Sequence, residues 1–368
     1  MGYGQKINRR KFLTIISKYC AIPFIPYSSF HFSRNAIVKN DSKTIETPII
    51  KDKIPNINVI GVGGAGGNTI NHMIDSKLQG VNFIAANTDA EALEYSKAQF
   101  RLQIGGKLTE GLGAGANPQI GRDAALESEK KIRKALKGSD MVFIVAGLGG
   151  GTGTGAASVI AGVCKDIGAL TVAVVTMPFY FEGKKRINHG IDGINTLKEI
   201  ADTVITIPND RLRGIVSKNA KMVDMFRKTD EILLHSVKAI TDLIMMPGLV
   251  NLDFADVRKT MLGAGIAFMG TGTANGANRA KYAVEKALSH SLLEDISITN
   301  TKNVLMNITA AGNITIEEIN KALDFIYNEA GNDVDIIWGA VFDESLNDEM
   351  KVTLIVTDIR SKLPLGHV

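Results

Sequence analysis

The sequence has only two cysteines in 368 residues, Cys20 and Cys164, and no CxxC pair. That excludes a disulfide framework and, with only six histidines, a zinc site; a reducing compartment fits best. Aromatic residues make up 6% of the chain, too few for a base-stacking nucleic-acid platform. No apolar run reaches 18 residues, so no segment is expected to span a membrane. Acids are missing from residues 1–40, which hold seven cations: Lys6, Arg9, Arg10, Lys11, Lys18, Arg34 and Lys39. The formal charge of +4 therefore misleads: beyond this leader 35 basic residues face 38 acidic ones, and no nucleic-acid partner is implied.

What is abundant is glycine, 37 residues, concentrated in two turns. The first is Gly61-Val62-Gly63-Gly64-Ala65-Gly66-Gly67-Asn68, and the second runs from Gly147 through Gly149-Gly150-Gly151-Thr152-Gly153-Thr154 to Gly155. Each follows an apolar strand and opens a helix. Backbone N–H groups at such turns bind anions, and glycine permits a close backbone approach. Taken alone, the first turn satisfies the dinucleotide fingerprint, with an acid, Asp89, 23 residues past Gly66, and an NAD-binding Rossmann domain stays open on that evidence. A Rossmann domain needs one pyrophosphate cradle, however, and the second turn has no Walker-type lysine. Two cradles in one parallel α/β pattern point to a polyphosphate held from two sides.

Strands are expected at 58–62, 83–87, 141–146, 171–175 and 203–207, with helices at 68–76 and 121–136 and an irregular stretch over 101–120. A long helix over 220–246 places Leu233, Val237, Ile240 and Ile244 on one face and ends at Pro247-Gly248. A second α/β unit follows, with strands near 304–308, 335–342 and 351–357 and helices near 277–289 and 315–329. Cys164 reads as a core residue. The division implied is a leader (1–52), a nucleotide-binding domain (53–219), a central helix and loop (220–269), a C-terminal α/β domain (270–360) and a short tail (361–368). The leader has transit-peptide composition and an Arg-Arg-x-Phe-Leu string resembling a twin-arginine signal. Cleavage, export and a retained membrane-touching extension all remain open for it.

The run Gly147–Gly155 resembles the signature loop of the tubulin/FtsZ superfamily. Four further strings resemble its FtsZ branch: Asn87-Thr88-Asp89; Gly111-Leu112-Gly113-Ala114-Gly115-Ala116-Asn117-Pro118; Pro178-Phe179-Tyr180-Phe181-Glu182-Gly183-Lys184-Lys185-Arg186; and Asn251-Leu252-Asp253-Phe254-Ala255-Asp256-Val257. The resemblance covers about residues 56–360. It implies an α/β protein in which a doubly wound parallel-sheet GTP-binding domain is joined by a long central helix to a smaller α/β domain.

It also implies GTP/GDP as ligand, with Mg2+ carried on the nucleotide and no separate protein metal site. Gly64, Ala65, Gly66, Gly67 and Asn68, with Gly151, Thr152 and Gly153, would hold the phosphates. Glu182 and Arg186 would lie at the ribose, Phe226 would stack on guanine, Asp230 would read its N–H edge, and Asn209 would lie near the base. Asn251, Asp253 and Asp256 would be catalytic, inserted into the site of the next subunit of a head-to-tail homopolymer. Read without the family, the Glu182/Arg186 spacing is a surface i,i+4 ion pair, Phe226 is core, and the two acids three apart are a helix N-terminal turn. The expected role is the division ring in the cytoplasm, or an organelle matrix if the leader is a transit peptide. The usual C-terminal docking peptide for membrane-anchoring partners is not evident before Val368.

Overall fold

A computed structural model describes residues 54–214, 221–246, 248–250, 252–293, 298–299, 301–331 and 333–357. The leader, the tail and Asn251 lie outside the described residues.

Strand β1 (Ile57–Val62) runs directly into helix α1 (Gly63–Asp75), followed by β2 (Asn82–Asn87), α2 (Ala90–Glu94) and the edge strand β3 (Phe100–Gln103). Helices α3 (Pro118–Glu127) and α4 (Glu129–Leu136) lead to β4 (Met141–Gly147), α5 (Thr152–Asp166) and β5 (Leu170–Met177). Then come α6 (Lys184–Ile200), β6 (Thr203–Pro208) and a 3-10 turn over Asn209–Gly214. The long α7 (Met222–Met245) precedes β7 (Gly248–Val250) and α8 (Phe254–Met261). The C-terminal part is β8 (Gly265–Ala274), α9 (Arg279–Leu288), β9 (Asn303–Ala310), α10 (Ile316–Ala330), β10 (Asp335–Phe342) and β11 (Met350–Thr357).

Strands pair in the order β3-β2-β1-β4-β5-β6-β8-β11-β9-β10-β7. The first six are parallel, in the doubly wound order, and β6 pairs with β8 over Thr203–Ile205. The two α/β parts are therefore joined by backbone hydrogen bonds as well as by α7. Alternation along β1 explains the two-sided burial. Ile57 and Val59 join one core with α1 and α7, while Ile60 and Val62 join the other with α5 and α6. The expected face of α7 is buried: Leu233, Val237 and Ile240 lie in the first core and Ile244 packs on it. Cys164 is buried in the second core, which pushes its thiol up to about 12, so it is not a reactive group.

Four expectations change. The first helix begins at Gly63, not 68, because the glycine turn is itself the first helical turn. The helix expected over 121–136 is two helices, interrupted at Ser128, whose φ of −100° and ψ of 9° leave the helical range. The stretch 101–120 is not wholly irregular, since β3 and the start of α3 lie in it; Asn117 caps α3 by accepting from the Gln119 amide. Strand β8 was not expected and runs through position 270. Its glycines hid it. A Cβ on Gly270 or Gly272 would overlap the Ala287 or Ala283 carbonyl of α9, so close helix packing requires glycine there, against its poor strand preference.

Candidate functional site

The strand order reverses between β1 and β4, and ligands in doubly wound sheets bind at the carboxyl ends of the strands flanking that point. Both glycine turns are there, and they touch. Gly63 has φ +72°, and a Cβ on it would lie 2.9 Å from the Gly153 amide nitrogen; one on Gly147 would lie 2.7 Å from Ala65 Cβ. A cavity of about 390 Å³ opens beside them, the size range of small-molecule sites.

The glycines divide by what a side chain would meet. Gly66 is packed against the Val145 carbonyl and Gly153 against that of Gly147, while Gly151 faces Ala114 and the Asn117 backbone. Gly64, Gly67 and Gly150 face open space. Gly64, Ala65, Asn68, Gly151, Thr152 and Gly153 line the cavity, and Gly66 and Gly67 do not. Gly66 is thus a packing residue whose position lets β1 and α1 meet β4. The second turn is tied down internally: the Thr154 hydroxyl accepts from the Gly149 amide at 2.8 Å, and the Thr152 and Thr88 hydroxyls are 2.7 Å apart. Gly66→Ala is expected to destabilise the fold by at least about 1–3 kcal/mol through overpacking. Gly64→Ala should leave thermal unfolding unchanged, because its methyl group would enter the open cavity and not packed backbone. Equal melting temperatures for the two variants would contradict this division.

The far end of the cavity is built by α7, the 3-10 turn and the segment after β5. Phe226 and Asp230 lie one turn apart on α7, and both line the cavity with Asn209 and Thr229. Phe226 is 41% exposed, so it is not a core residue, and its ring stands edge-on to the buried Phe179 at 5.6 Å. Asn209 is buried, its carbonyl oxygen 3.4 Å from the Thr229 hydroxyl. Asp230 accepts a hydrogen bond of 2.6 Å from the Thr69 hydroxyl. Burial pushes its carboxyl above the ordinary range, opposed by that hydrogen bond and by the charge of His72. Glu182 and Arg186 form the expected i,i+4 ion pair at 2.8 Å, and both also line the cavity. The second Glu182 oxygen accepts from the Phe179 amide at 2.9 Å, which fixes the wall. Asp89, the acid that a Rossmann reading would assign to a ribose, instead caps α2 by accepting from the Ala92 amide at 3.0 Å. Thr69 and Thr229 carry no sequence signal; only the fold brings them to Asp230 and Asn209.

The acids of the third string are elsewhere. Asp253 is the N-cap residue of α8 and Asp256 lies in its first turn; both are exposed. Helix α8 sits at the amino ends of the parallel strands: the Arg258 guanidinium donates to the Gly168 carbonyl at 3.4 Å and the Met261 carbonyl accepts from the Thr203 hydroxyl. Helix α7 runs between the two ends, with Asp230 at the cavity and Met245 beside Gly80, ahead of β2. The fifteen steps from Asp230 to Met245 span about 22 Å at 1.5 Å each. One chain does not bring these acids to its own cavity.

Residues 56–217 match the profile of the tubulin/FtsZ family GTPase domain, and residues 265–360 that of the FtsZ family C-terminal domain. The structure of FtsZ from M. jannaschii, solved as an empty dimer, is 43% identical to this chain, with 85% of this chain and 90% of that one covered at a TM-score of 0.80. The chain belongs to the tubulin/FtsZ family. CetZ2 from Haloferax volcanii, solved as a GTPγS-bound protofilament, is 20% identical, with 83% and 94% covered and a TM-score of 0.72, a likeness of fold. Membership of the tubulin/FtsZ family makes the chain a GTPase that binds guanine nucleotide. Among the described residues no helix is long and apolar enough to cross a membrane.

Asp230 gives the site a pH signature. If Asp230 reads a guanine edge, as the resemblance implies, its raised carboxyl would once ionised accept two N–H donors, a charge-assisted pair. By linkage, burial of this carboxyl favours the ligand-free fold at low pH, and that contribution is lost as pH rises through the raised value. Guanine-nucleotide affinity moves oppositely and should fall as pH drops through the same value, above the ordinary carboxylate pKa of about 4. Titration of GDP across pH, with Asp230→Asn lacking the dependence, checks this.

Proposed function

We propose that this GTPase assembles head to tail and hydrolyses GTP at the contact, the cavity of one chain being completed by Asn251, Asp253 and Asp256 of the next. The observation that carries this reading is the separation of the acids from the cavity along α7. A contact between opposite ends of identical chains is heterologous, so it yields open filaments, not closed dimers. The filaments are proposed to build the ring at a division site.

In this reading the chain's own groups act by position and charge. Backbone amides of the two turns, with Ala65, Asn68 and Thr152, hold the phosphates, and Gly66 supports the first turn from behind. Asp230 and Asn209 read the base, Phe226 covers its face, and Arg186, held by Glu182, lies at the ribose. Asp253 and Asp256 orient the attacking water and accept its proton, which suits a phosphoryl transfer that asks little covalent chemistry of the protein. Among the described residues the only acids lining the cavity are Asp230 and Glu182, and no group of three or more His, Cys, Asp or Glu is poised to hold a metal. Asp253 and Asp256 of the neighbour, with the phosphate oxygens, would hold Mg2+, which would supply charge neutralisation on the transferring group. Sedimentation with GTP, GDP and NAD, with phosphate release followed in parallel, tests the reading: GTP alone should pellet the protein, and NAD should do nothing.

The leader's seven cations and nearby apolar residues suit contact with an anionic membrane at about 1 kcal/mol per cation, its composition suits cleavage, and its twin-arginine string suits export. Intact mass of the mature protein separates removal of the leader, by transit processing or by export, from retention. If retained, deletion of residues 1–40 should abolish salt-sensitive co-sedimentation with anionic vesicles.

A further inference from the structure

Three consecutive residues of the 3-10 turn after β6 face three different parts of the molecule. Asn209 is 5% exposed and lines the base end of the cavity. The Asp210 carboxylate accepts from the Tyr180 amide at 3.1 Å, two residues before the Glu182 that holds Arg186. Arg211 turns the other way: its guanidinium donates to the backbone carbonyls of Leu292 at 3.0 Å and Ser291 at 3.4 Å, in the loop that follows α9 of the C-terminal domain. Leu212 and Leu292 are both buried in the same core, so turn and loop share packing as well as hydrogen bonds. A charged donor on two carbonyls is stronger and more directional than the apolar contact beside it.

The location of this link matters. The strand pairing between the domains, Thr203–Ile205 with Gly265–Ala267, lies at the amino end of β6, away from the cavity. Arg211 joins the same two parts at the carboxyl end, two residues from Asn209. Asn209, Asp210 and Arg211 are consecutive in one short 3-10 turn, so their backbone positions are tied to one another. A base that orders Asn209 and Asp210 therefore also orders the guanidinium and the carbonyls it holds, so that ligand and loop share one equilibrium.

We infer that Arg211 is a positioning residue that couples occupancy of the base end of the cavity to the loop over residues 289–293 of the C-terminal domain. The inference rests on the nucleotide reading above. Its test is hydrogen exchange of the full chain with and without GDP, below the concentration at which it assembles. In the wild type, GDP should slow exchange at both glycine turns and, by about threefold or more, over 289–293. Arg211→Lys keeps a charged donor and should retain at least half of the loop response. Arg211→Met keeps the apolar stem, which protects folding, and should lose the loop response while both glycine turns stay protected. A loop response that survives Arg211→Met, or a wild-type loop that ignores GDP while the turns are protected, overturns the coupling alone. Turns that GDP leaves unprotected in the wild type overturn the nucleotide reading and the coupling with it.

Discussion

Asp253→Ala is expected to bind GTP with wild-type affinity, to pellet with it, and to hydrolyse it at least about a hundredfold more slowly, the scale of a lost general base. The fold should tolerate the change. Asp253 is exposed and its side chain makes no capping hydrogen bond to α8, so the stability cost should stay within about 0.5 kcal/mol. On the proposed reading, in which acids and cavity at opposite ends of the sheet meet only between chains, wild-type turnover per chain should also rise with protein concentration, as more chains find a neighbour. Phosphate release measured from well below to well above the assembly threshold checks both statements. A specific activity that stays flat would show that no second chain is needed.

Asp230→Ala should weaken GTP binding by about 1.5–3 kcal/mol, or roughly 10- to 160-fold, and leave ATP binding nearly unchanged. The selectivity follows from geometry. Guanine offers the carboxylate two N–H donors, and adenine offers no such pair. The loss should be local, because the Thr69 hydroxyl that Asp230 accepts from also reaches the Ala65 carbonyl at 3.0 Å and keeps a partner. Equilibrium titration with both nucleotides decides it: equal losses would mean that Asp230 does not read the base.

The two cradles were legible because an apolar strand before a glycine run is a local signal, as with Met141–Gly147 before Gly149. The spacing of Phe226 and Asp230 was legible for the same reason, one helical turn on a long periodic helix. What the sequence could not reveal depends on distant backbone. Gly66 and Gly64 look alike in the chain, yet one faces the Val145 carbonyl across the sheet and the other faces the cavity. The Glu182/Arg186 pair reads equally as a surface ion pair, and only the placement of β5 and α6 makes it a wall. Strand β8 was invisible because its glycines answer to the carbonyls of α9 and not to strand preference. Arg211 carries no pattern at all; its partners are carbonyls some eighty residues away.

The separation of cavity and acids along α7 has an arithmetic consequence. In the proposed head-to-tail assembly, a row of n chains joined end to end would contain n − 1 complete sites. One terminal cavity has no neighbour's acids, and the other terminal chain shows its acids to solvent. On that reading a pair of chains should turn over at half the per-chain rate of a long row, and the lone terminal cavity should not hydrolyse its triphosphate however long the row becomes. The two tips are therefore chemically distinct. In such a row growth and loss need not balance at the same end.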